Sequence, residues 1–325
     1  MSARTRTYVF VAVAAVAAAA FVVATVAFTR TSTGGGGTPH AQANPVVGRA
    51  PSLVLDLGVR TDPEAIALRR ANQLYADRRH RQALAIFVRY RSVQAEVGAA
   101  VARWPAGTVA RLRRLATEHP RSAVVLLHLG LAELASGDEA AARHAWQGAV
   151  ARDPDTQSAV HADDLLHPNY APGPPPFVPS FALPRSLAAL PAPSQLAKLR
   201  AAANRDDVRA KLLYGAALQR LGRPLSAEGE FAAAARMAPN QPEPLVAAAV
   251  GAFSKSRPIR AFARLGPLSG RFPRSQTVRF HLGELLLWIG QLQKAEHQLE
   301  LARAAGPRTI LGTSANELLR RLPAR

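Results

Sequence analysis

Large and small apolar residues recur at one fixed interval through the C-terminal half of the chain. Ala227, Ala261 and Ala295 lie 34 residues apart, and so do Phe231, Leu265 and Leu299. Ala234, Leu268 and Ala302 keep the same interval, as do Gly215, Ala249 and Gly283, and Pro239, Pro273 and Pro307. Between these positions Ala, Leu and Arg follow helical spacing, the pattern of packed amphipathic helices. Each unit then reads as a helix pair. The small residue lets the first helix approach its partner, the alanine sits where the second helix crosses it, and the bulky residue four later fills the gap. The proline ends the second helix, because it cannot donate to the next turn and restricts the residue before it. One unit earlier in the chain carries the same template in Gly130, Ala142, Trp146, Ala149 and Pro154, and Pro120 precedes Pro154 by 34 residues. The units fall at roughly 123–156, 208–241, 242–275 and 276–309. The pattern is thinner over 64–121, where Ala71, Ala83 and Phe87 match one unit and Leu112, Leu115 and Pro120 the second half of another. Ser122, Asp206 and Ser275 are the expected N-caps of first helices and Asp138 of a second. Residues 309–322 read as a closing helix with Ser314 and Glu317 as a capping box.

A 34-residue helix-turn-helix unit with a small residue, then Ala, then a large residue, then Pro resembles the tetratricopeptide repeat. The chain departs from that pattern in lacking the usual tryptophan early in the first helix and often the tyrosine. The resemblance implies an all-α, right-handed superhelical solenoid whose first helices line a concave groove. Carried onto this chain, the groove residues are Val124, Leu127 and Leu131; Arg209, Leu212 and Ala216; Glu243, Val246 and Val250; and Phe280, Glu284 and Leu287. Chaperone-binding members hold a peptide carboxylate with Lys and Asn on these helices. That set is absent here, so an apolar or extended protein segment is the expected partner.

Tyr8 to Phe28 contains no charged residue and is flanked by Arg6 and Arg30. As a helix these residues reach about 31 Å, enough to cross the hydrocarbon core. A cleaved signal peptide is the rival reading, but its apolar region runs to only about 7–15 residues, and Thr25-Val26-Ala27 is a poor cleavage site. A retained anchor fits the length better, and with it the chain resembles membrane-anchored bacterial members of the repeat family. Arg4 and Arg6 place the N-terminus in the cytoplasm and the C-terminal part outside. The domain order is then a short basic N-terminus (1–7), a transmembrane helix (8–28), a flexible linker (29–60), a first array (61–154), a Pro-rich insert (155–193) and a second array (194–325). Within the linker, residues 52–58 read as a short extended segment at the domain edge. Gly34 to Gly37 do not form a phosphate loop, because no strand precedes them and no Lys-Ser/Thr follows.

The insert raises two questions of chemistry. His161, Asp163, Asp164 and His167 crowd into seven residues. On a helix the last three share one side and His161 points elsewhere, a spacing that matches no metal motif. They read as surface residues of a short polar helix that Pro168 stops. Prolines then stand at 168, 172, 174, 175, 176 and 179, so this part is stiff and extended, close to polyproline II. It carries Phe177, Val178, Phe181 and Leu183, too apolar to be left in water. Phe177 and Phe181 are the anchors, pressing either on the flank of the arrays or into the groove. Charge favours docking: residues 155–193 hold one Arg and three Asp, whereas 194–325 hold 21 Lys and Arg against nine Asp and Glu.

Composition adds exclusions. There is no cysteine, which removes disulfides, thiolate catalysis and Cys-based zinc sites. Hydrophobic residues make up 48% but aromatics only 6%, which suits closely packed helices. Only four of the 41 basic residues are lysines, the mark of GC-rich codon usage, so part of the net charge of +19 is genomic habit. A basic stripe still stands out: no acid occurs from Pro244 to Gly283, and Arg257, Arg260 and Arg264 have one-face helical spacing, with Arg271 and Arg274 beyond. It suits anionic lipid or an acidic partner, or is a solvated face; without interleaved aromatics nucleic acid is disfavoured. No catalytic motif and no cofactor or metal motif is present. Two classes of function remain. One is a membrane-tethered scaffold that binds protein segments, in cell-envelope assembly for example. The other is a structural subunit of a membrane complex with no ligand of its own.

Overall fold

The computed structural model describes residues 46–322. The basic N-terminus 1–7, the apolar segment 8–28 and most of the linker lie outside the described residues. Among the described residues no helix is long and apolar enough to cross a membrane, and there is no strand. The described chain divides into two compact units that meet in sequence between Leu166 and His167.

The first unit is a series of helix pairs. α1 (Pro63–Ala76) packs on α2 (His80–Phe87), α3 (Val93–Val101) on α4 (Thr108–Glu118), and α5 (Ala123–Ala135) on α6 (Glu139–Arg152), with α7 (Gln157–Leu166) closing the unit against α5 and α6. Asp62 accepts from the Ala65 amide with Pro63 in the first turn, and Asp138 accepts from the Ala141 amide at 2.9 Å. Ala71, Ala83 and Phe87, the thin end of the repeat, are fully buried.

The second unit begins with the extended insert and the single-turn α8 (Arg185–Ala188). α9 (Ala192–Ala203) packs on α10 (Val208–Arg220), which pairs with α11 (Pro224–Met237). α12 (Pro242–Gly251) then packs on α13 (Ile259–Leu265), which α14 (Leu268–Arg271) follows; α15 (Gln276–Trp288) pairs with α16 (Leu292–Ala305), and α17 (Ile310–Arg321) closes the unit. The 34-residue register is the packing register: Ala227, Ala261, Ala295, Phe231, Leu265 and Leu299 are all at 0% exposure. Gly215 shows why the first helix needs a small residue, since a Cβ there would lie 2.4 Å from the Phe231 ring. The prolines act through the residue before them. His119, Asp153, Ala238 and Phe272 all leave the helical region, at φ between −128 and −145 and ψ between 62 and 67. The unit ends are also tied to one another. Arg152 donates to the Pro120 carbonyl and Arg271 to that of Pro239, each at 3.1 Å and each from two residues before its own unit's proline.

Several expectations are corrected. Asp207, not Asp206, caps α10, accepting from the Ala210 amide; Asp206 stands in the left-handed region at φ 58. Ser122 and Ser275 hold the cap positions without a side-chain bond. Thr309 caps α17, and Ser314 is buried inside it. The second helix of the 242–275 unit is split, because Pro267 follows Gly266 in mid-helix and removes a backbone donor. α7 belongs to the first unit, so the polar stretch placed at the start of the insert is a helix of the first array. The linker's end is not a flexible tether: Leu53, Leu55 and Leu57 alternate inward and are buried.

Candidate functional site

In the second unit, residues 173–181 run extended across the first helices. Proline has no N–H, so between Pro174 and Ser180 only Phe177, Val178 and Ser180 can donate from the main chain. All three do. The Phe177 amide donates to Gln219 Oε1 of α10 at 2.9 Å, that of Val178 to His281 Nε2 of α15 at 3.0 Å, and that of Ser180 to Glu243 Oε1 of α12 at 2.6 Å. The Ser180 hydroxyl adds a bond to Glu243 Oε2, and Trp288 donates to the Gly173 carbonyl at 3.4 Å. Apolar contacts follow the same path. Phe177 is fully buried, edge-on to Phe231 at 5.2 Å and stacked on His281 at 5.1 Å. It shares a core with Leu212, Ala216, Val246 and Val250, and Val178 shares one with Phe280 and Leu287. Phe181 is half-buried beneath the Arg209 guanidinium, 4.1 Å from its ring centre.

His281 is the pivot of this arrangement. Its Nδ1 lies 2.7 Å from the Thr277 carbonyl and must donate there, which leaves Nε2 as the acceptor for Val178. The ring is therefore neutral, and burial lowers its pKa to about 4.

The first unit repeats this chemistry. After a turn at Val47–Arg49, residues 51–57 run extended on α3 and α5, with the Gly48 amide on the Ala135 carbonyl and the Tyr75 hydroxyl on the Pro51 carbonyl. The Val54 amide donates to His128 Nε2 at 3.0 Å and the Asp56 amide to Gln94 Oε1 at 3.1 Å. His128 Nδ1 lies 2.7 Å from the Val124 carbonyl, so the tautomer is the same. Burial, with a smaller contribution from His161, lowers the pKa of His128 to about 4. Both histidines stand in the sequence His-Leu-Gly, at 128–130 and 281–283, and both glycines face the large residue of the second helix, Trp146 and Leu299.

The groove residues expected from the repeat fall into two sets, one per unit. Arg209, Leu212, Glu243, Val246, Val250, Phe280 and Leu287 gather around residues 173–181. Val124 packs with Leu53, Leu55 and Leu57, while Leu127 and Leu131 lie in a neighbouring cluster with Val54. Glu284 is buried with no hydrogen-bond partner for Oε2, and burial pushes its pKa well up. The residues that bond the extended segments, His128, His281, Gln94 and Gln219, were not singled out in the sequence. The one signal for them there is the recurrence of His-Leu-Gly at the glycine register.

The other candidates separate. His161 is 6% exposed, not a surface residue, because α7 turns Ser158, Ala159 and Ala162 inward with it. Among the described residues no three His, Asp or Glu side chains converge to hold a metal ion. The basic stripe is exposed but does not form one helical face. Arg257 precedes α13, Arg264 lies on it, Arg260 is 3.6 Å from Glu228, Arg271 holds the Pro239 carbonyl and Asn240, and Arg274 follows α14.

The 34-residue helix-turn-helix units of the described residues resemble tetratricopeptide repeats. No family model matches the sequence, and no curated protein matches it. Among solved structures it is similar to the TPR2AB-domain–pHSP90 complex of yeast Sti1, at 12% identity and TM-score 0.30, over 79% of this chain and 97% of that one. It is similar to yeast Tom70 at 14% identity and TM-score 0.35, over 85% of this chain and 53% of that one. A TPR repeat-containing protein from Cytophaga hutchinsonii matches at 12% identity and TM-score 0.27, over 79% of this chain and all of that one.

Proposed function

We propose that the chain is a non-enzymatic protein–protein interaction scaffold, held at a membrane by residues 8–28, that holds extended protein segments along the first helices of its repeats. One observation carries this reading: in both units a histidine and a glutamine of first helices bond the main-chain N–H groups of an extended segment. Acceptors of this kind read the backbone whatever its sequence, and the apolar residues between them select side chains, as in strand-like peptide recognition. A second reading has its own support. Both grooves hold a segment of the chain itself, which suits a structural subunit with no ligand to exchange. Affinity capture of the full chain in mild detergent separates the two. Partners displaced by an extended apolar peptide fit the scaffold; one stoichiometric partner that no peptide displaces fits the structural subunit. The envelope setting follows from the N-terminal segment and the arginines before it, which put the repeats outside the cytoplasm.

A further inference from the structure

Residues 173–181 meet the second unit as a ligand meets a receptor. Every main-chain donor from 174 to 180 ends on a side chain of a first helix, and the side chains alternate between a deep pocket for Phe177, a lining of Phe280 and Leu287 for Val178, and a half-open position for Phe181. None of the three backbone acceptors is a backbone group of a neighbouring helix. They are three side chains, Gln219, His281 and Glu243, drawn from three successive first helices. Such a set holds the main chain of the segment by side chains alone, while α10, α12 and α15 keep their own pairing with α11, α13 and α16.

We propose that residues 173–181 are an intramolecular ligand of the second unit, and that a protein partner docks by displacing them with an extended segment of the same chemistry: an aromatic residue, a branched aliphatic residue, then a hydroxyl residue two positions on. This rests on the scaffold reading and names its partner class and its control. His281 is the residue that makes exchange possible, because its Nδ1–H is fixed on Thr277 and its Nε2 waits for whichever backbone amide arrives. The proline content of the occupant fits this role. A stiff, extended chain loses little conformational freedom on docking, and with its prolines it gives up only the amides of Phe177, Val178 and Ser180 to water on release.

The test uses the full chain in detergent micelles and the labelled peptide PGPPPFVPSFAL, which copies residues 172–183. The doubly substituted Phe177→Ala, Val178→Ala chain weakens its own segment but keeps the groove. It should bind the peptide at least about tenfold more tightly than the unaltered chain, for which the tethered segment competes at high effective concentration. Adding His281→Phe to that variant should undo the gain. A folded variant with no gain, or a gain that survives His281→Phe, overturns the proposal. Should the variant not fold, the absence of cysteine offers a second measurement. With Val178→Cys as the sole thiol, excess peptide should speed its labelling several-fold, and an unchanged rate overturns the proposal. The outcomes stay distinct from those of the scaffold reading. A partner captured by the unaltered chain and indifferent to the Phe177 and Val178 substitutions sinks the displacement idea alone. Peptide exchange with no cellular partner leaves displacement intact and sinks the scaffold.

Discussion

A buried imidazole that accepts from a backbone amide must be neutral, and this ties His128 and His281 to pH. Their folded pKa of about 4 lies below the ordinary 6.5, so between these values the unfolded chain binds more protons than the folded one. Stability from the two rings is complete above pH 6.5 and is lost as pH falls toward 4. Within that window each ring loses about 1.4 kcal/mol for every tenfold rise in proton concentration. Glu284 has the opposite sign. Its raised pKa means that the folded chain keeps a proton the unfolded chain gives up, so its contribution falls as pH rises above 4.5. Thermal unfolding between pH 4 and 8 should show an acid limb that is shallower in His281→Gln and steeper in Glu284→Gln, whose opposing slope is removed. An acid limb of equal slope in His281→Gln contradicts the assignment. Phe177→Ala should cost about 3–5 kcal/mol, the range for a fully buried aromatic, and Phe181→Ala clearly less, since that ring is only half-buried. Equal losses from denaturant unfolding of the two variants would contradict the placement. The Phe anchors were legible because large apolar residues in a proline-rich segment need cover. The histidines were not, since a lone His reads the same on a surface as under an extended segment.

At the scale of the element, the hairpin is the unit the sequence spells out. Periodicity placed the crossing alanines and the residues that fill the gap, and Ala227, Ala261 and Ala295 are the buried crossing points. Each of these residues changed to Leu should overpack its crossing and lower stability by about 1–3 kcal/mol, read as a lower thermal midpoint; three unchanged midpoints would contradict the register. What periodicity does not reveal is where local chemistry overrides it. Pro267 splits a helix that the 34-residue template draws as continuous, and Asp207 takes the cap from Asp206 because the latter adopts the left-handed backbone. Residues 51–57 show the reverse case. Their Leu-x-Leu-x-Leu alternation is a strand-like signal, and they lie extended but pair with side chains and not with another strand.

At the scale of the whole molecule, two repeat units each hold an extended segment of their own chain, and the N-terminal apolar segment is proposed to anchor both outside the cytoplasm. A reporter active only in the cytoplasm, fused after Arg325, should stay silent; strong activity would reverse the orientation. The repeat architecture was legible because it is periodic. The occupied grooves were not, because each brings together residues as far apart as Val178 and His281, and no local pattern records that meeting. The central claim is that neutral histidines read the backbone of these segments. Nitrogen NMR of the full chain with labelled histidine and valine tests it most directly. The account predicts Nδ1–H tautomers for His128 and His281, with through-hydrogen-bond couplings from their Nε2 atoms to the amides of Val54 and Val178. Nε2–H tautomers, or rings that titrate with an ordinary midpoint near 6.5, would contradict it.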